Sequence, residues 1–149
     1  MQDGGYPVNA NDKIFYRDGY KYQLDKTWSH QISIKGYDVA VDGGEDPWCS
    51  LTKDGILTVK AGYAWDGPSG PTFDTKDFMR GSLAHDALYQ LMREGKLPQS
   101  CREAADGVLK EICKEDGMGW FRLWYVYKGV RDFAASAAKR QTATIISAP

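Results

Sequence analysis

Between residues 13 and 62 apolar and polar positions alternate with a period near two, and turn residues interrupt them at short intervals. IFYRDGYKYQL sets Asp18-Gly19 between two aromatic runs, which predicts a hairpin. HQISI and YDVAV follow, separated by Lys35-Gly36. WCSLT and ILTVKAGY, joined through Lys53-Asp54-Gly55, predict a second hairpin. Five or six antiparallel strands are expected within residues 1–62.

The pattern then changes. AWDGPSGPT (64–72) carries two glycines and two prolines, which regular structure does not survive, so residues 63–74 read as a constrained loop. From residue 75 the apolar spacing becomes helical. A first helix is expected over 75–94, with Asp74 or Thr75 as N-cap and Gly95 after its end. A second begins at Ser100, which forms a capping box with Glu103. Gly117 and Gly119 break the chain, and a third helix is expected over about 119–138, before a loose tail at 139–149. Strands followed in series by helices predict an α+β fold. It would be a single domain: a small antiparallel sheet, then about three helices, the first two an antiparallel pair.

Composition narrows the classes. A chain of 149 residues buries roughly 70% of its unfolded surface and needs neither metal nor disulfide to fold. The net charge is −1, so no bulk field draws in nucleic acid, and no nucleic-acid partner is expected. A mild basic bias gathers late, at Lys128, Arg131, Lys139 and Arg140. Cys49, Cys101 and Cys113 are odd in number and not spaced for zinc, so buried, reduced thiols are expected. MQDGGYPVNAND has no basic or apolar leader region and the chain has no run of 18 apolar residues. The expectation is no signal peptide and no transmembrane segment.

Histidine is scarce: His30 and His85. On the first helix Phe78, Gly81, His85, Leu88, Tyr89 and Met92 fall on one stripe, with Asp86 at its edge. His85 therefore points into the protein. Burial favours the neutral ring, and a neutral, oriented imidazole is what a general base requires. On the second helix Asp106 flanks the apolar face of Ala105, Val108, Leu109 and Ile112. An antiparallel helix pair would bring it to His85, where an acid fixes the tautomer of the base. The bland alternatives are a core histidine bonded to a carbonyl and a solvated helical aspartate. The glycine-rich loop is neither an EF-hand nor a phosphate loop. A metal-dependent phosphohydrolase would need more histidines than His30 offers. In the third helix Trp120, Phe121, Trp124, Tyr125 and Tyr127 cover more than one face. They form either core with a partly exposed rim or a surface that meets lipid or a protein partner.

The order VKAGYAWDGPSGPT, HDALY, EAADGVL, YKGVRDF resembles a family of small phage and bacterial proteins of unknown function. Gly62, Tyr63, Asp66, Gly67, Ser69 and Pro71 fit its loop, and Val108 or Leu109 stands where the family often has Phe. This resemblance implies a phage-type protein of the host cytoplasm or the virion and names no activity. Residues 63–112 also resemble phospholipase A2, especially the disulfide-free viral type. That resemblance implies His85 as base, Asp106 as the group that orients it, and Tyr89 as support. It implies Asp86 as a bidentate Ca²⁺ ligand, with loop carbonyls near Trp65, Gly67 and Ser69 completing the shell. The implied reaction is calcium-dependent hydrolysis of a phospholipid ester. Asp66 has no counterpart in that pattern. The alternative is a non-enzymatic virion component or host-interaction protein on the same scaffold.

Overall fold

The computed structural model describes residues 14, 16–17, 22–41, 45–65 and 75–133. Alternation builds the larger sheet. Strands β3 (Trp28–Gln31), β4 (Val39–Ala40), β5 (Cys49–Leu51) and β6 (Ile56–Val59) pair antiparallel in the order β3-β6-β5-β4. Register sets Trp28 and Cys49 against Val59, and His30 and Leu51 against Leu57. These six side chains share one face and all are buried. Ser29, Thr58 and Ser50 form the opposite row, where Ser29 Oγ and Thr58 Oγ1 share a 2.8 Å hydrogen bond. A second sheet joins β1 (Tyr16–Arg17), β2 (Tyr22–Leu24) and β7 (Ala64–Trp65) in the order β1-β2-β7. The β5–β6 hairpin turns at Gly55, whose φ of 88° favours glycine. A Cβ there would also lie 2.7 Å from the Ile32 carbonyl oxygen.

Three helices follow: α1 (Lys76–Arg93), α2 (Arg102–Glu115) and α3 (Trp120–Phe133). Arg80 reaches Glu115 and Asp116 while Tyr89 reaches Asp106, so α1 and α2 run antiparallel. One apolar core joins the sheets to α1 and α2, through residues such as Leu57, Val59, Leu88, Leu91 and Val108. A smaller one, Phe78, Leu109, Cys113, Met118, Leu123 and Val126, fastens α3. All three cysteines are free and buried. Burial pushes the Cys49 and Cys113 thiols up to about 12, which makes them inert.

The α+β architecture and the antiparallel helix pair match expectation, and local details differ. The described part of residues 1–62 holds six short strands, within the expected five or six, but they are divided between two sheets, and β7 forms at Ala64–Trp65 inside the segment read as a loop. The Asp18-Gly19 turn, residues 66–74 and residues 134–149 lie outside the described residues. No Ser100 capping box forms. Gln99–Cys101 is a 3-10 turn, and α2 starts after Cys101 without a side-chain cap. Thr75 caps α1 by backbone only, its hydroxyl having turned to Asp77. The buried stripe of α1 is far wider than the sequence suggests: 13 of its 18 residues are buried, because the sheet covers one side and α2 with α3 the other.

Gly81 lets α1 and α2 approach. A Cβ there would lie 2.7 Å from Cys113 Sγ and 3.2 Å from the Leu109 carbonyl oxygen. Overpacking of about 1–3 kcal/mol exceeds the helix-propensity gain of up to about 1 kcal/mol, so Gly81→Ala should lower stability. Gly107, on α2 with open space around it, should behave oppositely. Gly107→Ala should add about 0.5–1 kcal/mol. Urea denaturation of both variants tests the pair.

Candidate functional site

Asp106 is the centre of the site. It sits on α2 with no exposed surface, buried between α1 and α3. A buried carboxylate needs donors on both oxygens. Oδ1 accepts from His85 Nε2 at 2.7 Å and from the Tyr89 hydroxyl at 2.5 Å. Oδ2 accepts from Arg131 Nη1 at 2.8 Å. His85 and Tyr89 are one helical turn apart on α1, and their rings lie 4.0 Å apart. The spacing that suggested one stripe therefore delivers both donors to one oxygen. Asp106 is not a solvated helical aspartate.

The carboxylate can only accept, so the neutral His85 ring carries its proton on Nε2. That leaves a lone pair on Nδ1, which lies 3.9 Å from Asp86 Oδ1. Burial lowers the proton affinity of His85, but Asp106 and Asp86 together outweigh it and raise its pKa above the ordinary value. Burial disfavours the Asp106 carboxylate in the same way. The bonds from His85, Tyr89 and Arg131 outweigh that and hold its pKa below the usual range. Burial first, then the bond to Asp106, pushes the Tyr89 hydroxyl up, so it stays a donor.

Asp86 occupies the seam between α1 and the sheets, with its side chain 34% exposed. Ser82, Asp86 and Gln90 form an i, i+4 row on α1. Trp65 Nε1 donates to Ser82 Oγ at 3.1 Å, and the Tyr63 hydroxyl donates to Gln90 Oε1 at 2.8 Å. The strand leading into the glycine-rich loop is thus anchored on either side of Asp86. Gly67, Ser69 and Asp66 lie outside the described residues. A hard cation takes about six to eight oxygens. Among the described residues no cluster of three or more His, Cys, Asp or Glu side chains could hold a metal ion. Asp86 offers a single partly exposed carboxylate here.

Two arginines completed the site without having been foreseen. Arg131 bonds Asp106, and Arg102 at the start of α2 donates from Nη2 to the Arg131 carbonyl. A buried carboxylate with a single predicted histidine was the available signal, because its second oxygen needed another donor. His30 belongs elsewhere. It stacks on Trp28 and faces Glu115, beside the buried Arg80. Glu115 is nine residues from Asp106 along α2, about 13 Å. On α3, Leu123 and Val126 face the core, while Trp120, Phe121, Trp124 and Tyr125 are exposed and Tyr127 is half-buried.

Asp106→Ala should cost about 3–5 kcal/mol in urea denaturation, since three donors lose their acceptor. The pH profile should carry both groups. The Asp106 contribution is complete above its unfolded value and lost as pH falls through its lowered folded value. The His85 contribution is complete below its ordinary 6.5 and lost as pH rises through its raised folded value. In His85→Gln the alkaline decline should vanish and the acid decline remain.

No family model, curated protein or solved structure matches the chain.

Proposed function

We propose that the chain is a hydrolase with a phospholipase A2-like centre, a phage-type protein of the host cytoplasm or the virion. His85 is the general base, Asp106 and Tyr89 hold it, and Asp86 with carbonyls of Trp65, Gly67 and Ser69 would hold calcium. The substrate class is a phospholipid ester. One observation carries the reading: a fully buried carboxylate holds Nε2 of His85 and leaves Nδ1 toward the half-open Asp86.

His85 Nδ1 takes a proton from water as the water oxygen bonds to the sn-2 ester carbonyl carbon. Asp106 stabilises the resulting imidazolium through Nε2. The proton then passes from Nδ1 to the departing alkoxide as the ester bond breaks, giving a fatty acid and a lysophospholipid. No covalent enzyme intermediate is needed. Bound calcium would supply Lewis-acid polarisation of the carbonyl. The base is competent only when neutral, so the rate should rise with pH through the raised His85 value, above 6.5. The exposed aromatic side of α3 supports contact with a bilayer, where Trp and Tyr rings favour the headgroup level.

A second reading rests on burial. His85 is 7% exposed, which also suits a polar knot that fixes helix register in a virion component or host-interaction protein. α3 would then be its contact surface.

Calorimetric calcium titration and a mixed-micelle phospholipid assay separate the two. The hydrolase should release fatty acid, lose at least ~10²-fold in rate in His85→Ala, and lose calcium binding in Asp86→Asn. Absence of calcium binding and turnover in the folded wild type sinks the hydrolase and leaves the polar knot.

A further inference from the structure

The third helix reaches Asp106 through the Arg131 side chain. Arg131 Nη1 donates to Asp106 Oδ2 at 2.8 Å, while Oδ1 is occupied by His85 and Tyr89. A carboxylate turns about a soft, two-fold torsion, so two donors on one oxygen do not fix its plane. A third donor on the other oxygen does. We infer that Arg131 is a positioning residue of the site: it fixes the Asp106 carboxylate from α3 so that Oδ1 stays aligned with His85 Nε2. The inference rests on His85 being the base of the proposed hydrolase.

Arg131 is itself held. Arg102 Nη2 donates to its backbone carbonyl, and Leu123 and Val126 dock the helix that carries it. A planar guanidinium offers directed donors where an ammonium offers a point charge. The charged and titratable groups facing the cluster come from each packed element. α1 gives His85, Asp86 and Tyr89, and α2 gives Asp106, Arg102 and Glu103. α3 gives Tyr127 and Arg131, and Tyr63 faces Asp86 from beside β7. Of these, Arg131 is the donor to Oδ2.

Another ion pair on α3 supplies the control. Arg122 Nη1 meets Asp77 Oδ1 at 2.9 Å, joining α3 to α1 without touching Asp106. The readout is the His85 Nε2–H proton, observed by ¹H–¹⁵N NMR at fixed pH in calcium-free protein. In Arg131→Met, with the backbone spectrum still folded, its exchange with water should quicken about tenfold or more, the worth of a charged hydrogen bond. Arg131→Lys should recover only part of the protection, and Arg122→Met should leave it unchanged. Should Arg131→Met fail to fold, Arg131→Gln carries the same expectation. Unchanged exchange in the neutral Arg131 variant overturns the inference, as does equal loss in Arg122→Met, which would assign the effect to general docking of α3. The NMR signal needs no turnover, so an inactive wild type with these shifts would sink the hydrolase and keep the positioning role. In an active enzyme, Arg131→Met should lower kcat and leave KM unchanged.

Discussion

All three helices meet at one buried charge, Asp106. Removing a carboxylate from water costs several kcal/mol, and only close donors on both oxygens offset it. Asp106 obtains them from two helices other than its own: His85 and Tyr89 on α1, Arg131 on α3. None of these contacts survives a helix sliding by a turn, about 5.4 Å. Apolar packing could tolerate several registers of α1 against α2, because leucine and valine contacts are not directional. The carboxylate selects one.

A second buried cluster does the same work at the other end of the pair. Arg80 is buried on α1, and its guanidinium meets Glu115 Oε2 at 2.8 Å and Asp116 Oδ1 at 3.0 Å. Those acids stand at the C-terminal end of α2, where the helix dipole disfavours negative charge. Arg80 compensates both. His30 adds the sheet to this cluster at 3.8 Å from Glu115. Between the two ionic clusters lies Gly81, where a side chain would collide with Cys113 and Leu109. The helix pair is therefore pinned at two separated points and packed closely between them.

Much of this was written in local pattern. Hairpin turns and the change of period at residue 75 predicted the strands and helices, because both signals are local in sequence. The partnership of His85 with Asp106 was also legible, since helical spacing fixes which residues share a face and an antiparallel pair brings flanking positions together, whereas the support from Tyr89 was implied only by the phospholipase A2 resemblance. Arg80 and Arg131 were not legible. A long cation looks alike in sequence whether solvated or buried, and only tertiary contact decides its partner. Ser100 misled for a related reason: its capping pattern with Glu103 is local, yet the chain tightens there into a 3-10 turn and α2 begins two residues later.

The sheet matters to the site through one short segment. Tyr63 and Trp65 point inward on either side of Ala64, which is exposed. Their polar tips reach Gln90 and Ser82, eight residues apart on α1 and thus about 12 Å. Two residues of strand span only about 7 Å, so the long aromatic side chains splay to bridge the difference. Asp86 lies at the middle of that row, with its side chain partly exposed. The polar centre thus has a sealed half at Asp106 and a half-open one at Asp86, joined by a single imidazole. That asymmetry holds one ring nitrogen while the other faces the partly open Asp86.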